Sequence, residues 1–148
     1  MAEINEKNLI LTRAKAATLS HDFTTAAKLY KQLLAGEQTN VDYMKELASI
    51  YVKNSEDEKA IPYYKQIITY YPHYIDAMNS LGAIYRRLKR YDESISILKT
   101  ALAEGRQTAS VNYNLGFTYK EMGNFKEAIS AFNSVIRLNI PFGATQSI

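Results

Sequence analysis

The hydrophobic positions of the chain recur with a period of 34 residues. The stretch LGAIYRRLKRYDESISILKTAL, Leu81 to Leu102, aligns without gaps on LGFTYKEMGNFKEAISAFNSVI, Leu115 to Ile136. Two further copies lie one and two periods before Leu81, at 47–68 and 13–34. Within each copy the apolar residues fall at helical spacing, which predicts two amphipathic helices per period. Four predicted helix pairs therefore cover nearly the whole chain.

Small residues recur at one position of each predicted helix. They are Ala14, Ala48, Gly82 and Gly116 in the first helices, and Ala26, Ala60, Ser94 and Ala128 in the second helices. A bulky side chain there would hold the paired helices apart, so both columns predict close helix packing. We therefore expect Gly82→Leu to destabilise the fold, whereas Gly82→Ala should do little harm and gain roughly 0.5 to 1 kcal/mol of helix propensity.

Residues typical of helix starts and stops follow the same period. Ser55 with Glu58, and Asn124 with Glu127, predict capping boxes at the start of two second helices. Pro62 falls inside a predicted helix, where it removes the backbone bond to the Glu58 carbonyl. We expect it to kink that helix or to delay its regular start.

These residues resemble the tetratricopeptide repeat, a 34-residue helix-turn-helix unit with a leucine-glycine pair, then tyrosine, alanine, an aromatic residue and proline. The resemblance implies an all-α, right-handed superhelical solenoid of four repeats. With Gly82 and Gly116 at the eighth position, the repeats run over 7–40, 41–74, 75–108 and 109–142, after a lead-in of 1–6 and before a tail of 143–148. Departures from the family pattern are Ile10, Met44, Met78 and Asn112 for its tryptophan, Arg13 for its leucine and Arg106 for its proline.

The basic character of the chain is modest, because 18 lysines and arginines against 15 acidic residues give a net charge of +3. The densest basic cluster, YRRLKRYDE at 85–93, lies at a predicted helix end, where cations meet the negative end of the helix dipole. No aromatic-and-basic stripe of the kind that stacks bases accompanies it. Nucleic-acid binding is therefore the disfavoured alternative.

Catalytic, metal and cofactor chemistry have no motif in the sequence. The chain contains no cysteine, and its two histidines, His21 and His73, fall in predicted turns. HExxH, GxSxG and glycine-rich phosphate-binding patterns are absent. We expect no enzyme activity, no metal site and no cofactor. Neither a signal peptide nor a membrane span can be read in the sequence, so we expect a cytoplasmic protein.

The family resemblance implies that the first helices line a concave groove for an extended or helical peptide. The residues expected to contact a partner there are Lys15, Lys45, Ser49, Asn79, Arg86, Tyr113, Asn114, Phe117 and Lys120. Asparagine amides can both donate to and accept from a peptide backbone. The alternative for Tyr113 and Phe117 is packing against the adjacent repeat, because aromatic residues at helical spacing are usually core.

Chaperone-binding members of the family use a carboxylate clamp of lysines, asparagines and an arginine over three consecutive repeats. The clamp does not assemble in either register of this chain, where only Lys45 matches in kind. Recognition of a chaperone's carboxylate tail is therefore not expected.

The last predicted helix carries an apolar face that its partner helix covers only in part. Its apolar residues are Ala128, Ile129, Phe132, Val135, Ile136 and Leu138. Because terminal repeats normally present a polar outer helix, we expect 125–138 to pair with a second copy of the chain or with further sequence. Phe132 and Ile136 are the test positions for self-association. The alternative is that Ile140 and Phe142 fold back over this face.

The sequence thus predicts a non-catalytic protein-protein interaction module or assembly scaffold that binds a peptide or partner protein in its groove. Two alternatives stay open: a nucleic-acid-binding helical repeat, and a regulatory repeat segment of a larger enzyme. The identity of the partner is not contained in the sequence.

Overall fold

The computed structural model describes residues 2–106 and 108–139, and the regular elements in these ranges are all α-helices. The helices are α1 (Ala2–Leu19), α2 (Phe23–Gly36), α3 (Val41–Lys53), α4 (Asp57–Tyr70), α5 (Ile75–Arg87), α6 (Tyr91–Ala103), α7 (Thr108–Glu121) and α8 (Phe125–Asn139). Helix α1 begins within the residues that the sequence assigned to a lead-in. No helix in the described ranges is long and apolar enough to cross a membrane.

The turn inside each helix pair uses one left-handed residue. His21, Ser55 and Lys89 have φ angles of 60°, 59° and 59°, and Gly123 has 83°. These four positions are spaced one repeat apart. In each turn the next residue's N–H bonds to a carbonyl five residues back, as in Arg90 N to Tyr85 O at 2.8 Å. This is a Schellman C-cap, which satisfies the last carbonyls of the first helix.

Ser55 is therefore not the N-cap that the sequence predicted. It occupies the left-handed position of the turn, and α4 begins at Asp57 with Glu56 in the N-cap position and no capping hydrogen bond from its side chain. Side-chain caps occur instead at the starts of α2 and α3. Asp22 accepts a hydrogen bond from Thr25 N at 3.2 Å, and Asn40 accepts one from Tyr43 N at 3.1 Å. Each satisfies a backbone donor at a helix start.

The chain divides into two compact units, residues 1–77 (unit 1) and 78–148 (unit 2). Unit 1 contains α1 to α4, whose small residues at the predicted columns are fully buried between apolar side chains. The core of unit 1 includes Ala14, Ala26, Met44, Leu47, Ala48, Ala60 and Ile67. Helix α4 continues through Pro62, whose side chain is exposed.

Unit 2 contains α6 to α8 and the part of α5 from Met78 onward. Its core includes Leu81, Ile84, Leu98, Ala101, Val111 and Leu115. The predicted close packing at the glycines is confirmed, because a Cβ on Gly82 would lie 2.5 Å from Leu98 Cγ and one on Gly116 would lie 2.5 Å from Phe132 Cε1. The contact is tighter than the sequence indicated, since even an alanine methyl group would overlap these side chains.

Two buried hydroxyl groups complete the core of unit 2. Ser94 Oγ donates to the Gly82 carbonyl at 2.8 Å and lies 3.0 Å from Thr118 Oγ1. Thr118 Oγ1 in turn donates to the Asn114 carbonyl at 2.9 Å. Because buried hydroxyls cost free energy unless they are bonded, this chain of contacts explains why α6 tolerates serine at a core position.

Candidate partner-binding surface

Helices α5 and α7 of unit 2 bring several predicted contact residues together. Asn114 Nδ2 donates a hydrogen bond to Asn79 Oδ1 at 2.7 Å, and both side chains are half-buried. This bond uses one donor of Asn114 and one acceptor site of Asn79. The remaining amide donors on Asn79 and the carbonyl oxygen of Asn114 are the groups that a ligand could bind.

Arg86 is held at the other end of the same two helices. Its Nη1 donates to Glu121 Oε1 at 2.8 Å, and its Cζ lies 5.7 Å from the centroid of the Phe117 ring. Lys120 Nζ lies 5.8 Å from the same centroid. Two cations therefore contact one aromatic ring, and the guanidinium is fixed by an ion pair and a cation–π contact.

The Nε atom of Arg86 is buried and has no hydrogen-bond partner among the described residues. The side chain as a whole retains 21% of its exposure. An unsatisfied donor at a buried position costs roughly 1 to 3 kcal/mol, so its presence needs an explanation. One explanation is an acceptor group on a binding partner.

The aromatic residues of this region form a cluster. Ring centroids are 4.8 Å apart between Tyr113 and Phe117 and 5.2 Å apart between Phe117 and Phe132, with edge-to-face geometry in both pairs. Phe117 is thus packed inside its own helix pair, against α8. Tyr113 keeps 52% of its surface exposed, and its ring packs on Phe117 and Phe132. We define the α5/α7 surface by Asn79, Arg86, Tyr113, Asn114 and Lys120.

The predicted contact residues of unit 1 are not joined in this way. Lys45 is half-buried, with Nζ 5.4 Å from the centroid of the Tyr74 ring, and a hydrogen bond to Tyr74 raises the pKa of Lys45. Lys15 is exposed and Ser49 is half-buried. No hydrogen bond, ion pair or ring contact links these three residues in the part of the chain that the structure describes.

Helix α8 has the expected exposed apolar face, but the residues exposed on it differ from the set predicted from the sequence. Phe132 packs on Gly116 and on the Phe117 ring and is half-buried, so it contributes little to the open part of this face. Phe125, Ile129 and Ile136 are 63%, 60% and 58% exposed. These three side chains form the exposed apolar stripe of α8. The predicted covering residues, Ile140 and Phe142, lie outside the described residues.

Sequence reasoning missed Glu121, which pairs with Arg86. The signal that could have found it is an offset of 35 residues, shared by the pairs Asn79–Asn114 and Arg86–Glu121. Equivalent positions on neighbouring first helices are 34 apart, so side chains that meet across two repeats are displaced by about one position. Searching for complementary polar residues at that offset would have identified both pairs.

Among the described residues, no group of three or more histidine, cysteine, aspartate or glutamate side chains could hold a metal ion. The polar groups of the α5/α7 surface are two amides, the Tyr113 hydroxyl, the Arg86 guanidinium paired with Glu121, and the Lys120 ammonium. Such groups bind a ligand by hydrogen bonds and charge.

The repeated helix pair, with small residues where its helices meet and a left-handed residue in its turn, defines a helical-repeat protein. Two family models, both described as tetratricopeptide repeat, match residues 11–74 and 73–139. Together they span nearly all described residues. The chain belongs to the tetratricopeptide-repeat family.

Solved structures of the protein MamA are similar to this chain. One crystal structure of MamA has 24% identity and a TM-score of 0.82, covering 93% of this chain and 74% of that chain. Another has 25% identity and a TM-score of 0.78, covering 85% and 74%. A MamA fragment from Desulfovibrio magneticus RS-1 has 16% identity and a TM-score of 0.79, covering 90% and 75%.

These likenesses concern the fold, and they confirm the prediction of an all-α tandem-repeat protein. A search of curated proteins gave no significant match to the sequence.

Proposed function

We propose that this chain is a protein-interaction module that binds a peptide segment of a partner protein on the α5/α7 surface. The tetratricopeptide-repeat family and the fold support an interaction or scaffold role. The proposal places the binding site on unit 2, where five of the expected contact residues are brought together by two adjacent helices. Lys15, Lys45 and Ser49 are separate candidate contacts on unit 1.

The single observation that carries the proposal is the pair of half-buried asparagines. Asn79 and Asn114 are fixed by their mutual hydrogen bond of 2.7 Å, yet each keeps free hydrogen-bonding groups. A preorganised amide pair can bond to the C=O and N–H groups of an extended peptide at little entropic cost. The exposed ring of Tyr113, on the same helix as Asn114, supplies apolar contact for a peptide side chain.

The buried Nε of Arg86 supports the same site. In a complex, a carbonyl or carboxylate oxygen of the partner would satisfy this donor after a small rotation of the side chain. Arg86 is already paired with Glu121, so the partner contributes an acceptor without needing a strong negative charge.

The same ion pair argues against the nucleic-acid alternative. A phosphate-binding surface needs cations that are free to replace counterions, whereas Arg86 is neutralised by Glu121. Salt dependence separates the two functions. Peptide binding should weaken mildly with salt, and a loss of about 1,000-fold between about 50 and about 200 mM would identify a nucleic-acid ligand instead.

Affinity capture from the cells that make this protein tests the proposal when it is done with matched variants. Asn114→Ala and Arg86→Ala should each lose the captured partner, with affinity falling about tenfold or more for the loss of one buried hydrogen bond. Asn133→Ala and Arg137→Ala are the controls, because they remove the same side chains from exposed positions of α8. Circular dichroism confirms that all four variants are folded.

A partner retained equally by all four variants would show that the α5/α7 surface is not the binding site. Equal loss in all four would place the contact on α8 or make it nonspecific, and would also contradict the proposal.

A further inference from the structure

A second candidate site lies in unit 1, away from the predicted contact residues. A cleft of about 390 Å³ runs between the N-terminal half of α2 and the turn that joins α3 to α4. Its lining residues are Phe23, Thr24, Ala27, Lys28, Lys31, Tyr51, Glu56 and Lys59. This volume lies within the range of about 300 to 1,000 Å³ that is typical of small-ligand sites. We call it the α2/α4 cleft.

The floor of the α2/α4 cleft is a fixed aromatic ring. Tyr51 is buried and stacks on Tyr63, with 5.9 Å between the ring centroids and an interplanar angle of 22°. Lys31 Nζ and Lys59 Nζ lie 5.6 Å and 5.8 Å from the Tyr51 centroid. A hydrogen bond to Tyr51 raises the pKa of Lys31, so this ammonium group is charged at neutral pH.

The charges around this cleft are unbalanced. Three lysines and one glutamate line it, which leaves a net charge of +2. Glu56 is already engaged by Lys59 and by the Asn54 amide, and these contacts lower the pKa of Glu56. Lys28 is exposed and has no partner among the described residues. The cleft therefore offers uncompensated positive charge beside the apolar surfaces of Phe23, Ala27 and Tyr51.

The repeat itself does not require these lysines. Two repeats on, the positions of Lys28 and Lys59 hold Ser96 and Glu127, and only Lys31 has a basic equivalent, Lys99. The charges of Lys28 and Lys59 are thus specific to unit 1, so the packing of the repeat does not require them.

We propose that the α2/α4 cleft binds a phosphate monoester attached to an aromatic or other apolar group. A phosphate monoester carries a charge of about −1.5 to −2 at neutral pH, which complements the net charge of the cleft. Lysine ammonium groups bind phosphate as point charges, and Lys28 and Lys31 line the same wall of the cleft. The apolar part of the ligand packs on Phe23 and Tyr51. This site is independent of the α5/α7 surface.

The test is a titration of the full chain, labelled with ¹⁵N, with phenyl phosphate and separately with inorganic phosphate. Phenyl phosphate should shift the backbone amide signals of α2 and of the α3–α4 turn in a saturable way. Lys28→Gln and Lys31→Gln should each weaken binding about tenfold, as expected for losing one charge-assisted contact. Lys99→Gln is the matched control in unit 2 and should leave the affinity unchanged.

Three results would overturn the proposal: no saturable shifts in the cleft, equal weakening by Lys99→Gln, or inorganic phosphate binding as tightly as phenyl phosphate. The last would show that the apolar wall contributes nothing. A further titration with a phosphotyrosine peptide distinguishes the two possible sources of the ligand. Binding about tenfold tighter than phenyl phosphate would assign the site to a phosphorylated protein, and equal binding would assign it to a free organic phosphate.

Discussion

Gly82→Ala should destabilise the fold, although alanine is the better helix former. A Cβ on Gly82 would lie 2.5 Å from both Cγ and Cδ2 of Leu98 and 3.0 Å from Cδ1. Carbon atoms in favourable contact are about 3.5 to 4.0 Å apart, so the methyl group overlaps Leu98 by about 1 Å. Because Cγ is the branch point of the leucine, the whole side chain has to move.

The expected magnitude follows from two opposing terms. An extra methyl group in a packed core costs about 1 to 3 kcal/mol. Replacing glycine by alanine inside a helix gains about 1 kcal/mol. The net loss of stability should therefore be about 1 kcal/mol, instead of the gain that the sequence alone indicated.

The sign should reverse when Leu98 is shortened. Leu98→Ala alone should cost about 2 to 5 kcal/mol, because it leaves a cavity in the core of unit 2. In that background the methyl group of Gly82→Ala has room, so it should stabilise by about 1 kcal/mol. Gly36→Ala is the control, since a Cβ there has no atom within 4 Å, and it should not destabilise.

Urea denaturation of the four chains of this cycle, followed by circular dichroism, gives the free energies. A stabilising Gly82→Ala in the parent chain, equal to its effect beside Leu98→Ala, would refute the close contact between α5 and α6.

Three further predictions concern the turns, α8 and pH. Lys89→Gly should stabilise the fold by about 1 kcal/mol because glycine adopts positive φ without strain. Gly123→Ala should destabilise the fold by a similar amount, and urea denaturation measures both effects. We also propose that the exposed apolar stripe of α8 pairs with a second copy of the chain. Ile136→Glu should then reduce the mass measured by light scattering, whereas the control Asn133→Glu should not. A parent chain that is monomeric at high concentration would contradict the pairing. Burial raises the pKa of Tyr30, so as pH rises the unfolded chain loses the Tyr30 hydroxyl proton before the folded chain does. The free energy of unfolding should therefore fall as pH rises above about 10, and it should fall less in Tyr30→Phe.

The helix pairs were predictable because their signals are local and repeated. Four copies of one apolar pattern define the same two helices four times, and the small residue at position 82 marks where those helices meet. What one sequence position cannot show is the rotamer opposite it. The difference between tolerating and rejecting alanine at Gly82 depends on where Leu98 Cγ lies.

The turns and the polar pairs were less predictable. Ser55 resembles an N-cap by residue type, but the backbone needs a left-handed residue there to close the C-cap of α3. The ion pair of Arg86 with Glu121 depends on the small displacement between neighbouring repeats. Because of it, a side chain meets the residue 35 positions later instead of the equivalent residue 34 positions later. Residue patterns within one repeat contain no information on that displacement.

The measurement that tests the proposed binding surface most directly is a side-chain NMR titration with the captured partner. The side-chain amide signals of Asn79 and Asn114 and the Nε–H signal of Arg86 report on the atoms proposed to bind. We predict that all three shift when the partner is added, while the amide signal of Asn133 on α8 does not. Shifts confined to α6 and α8, with the signals of the α5/α7 surface unchanged, would contradict the proposed site.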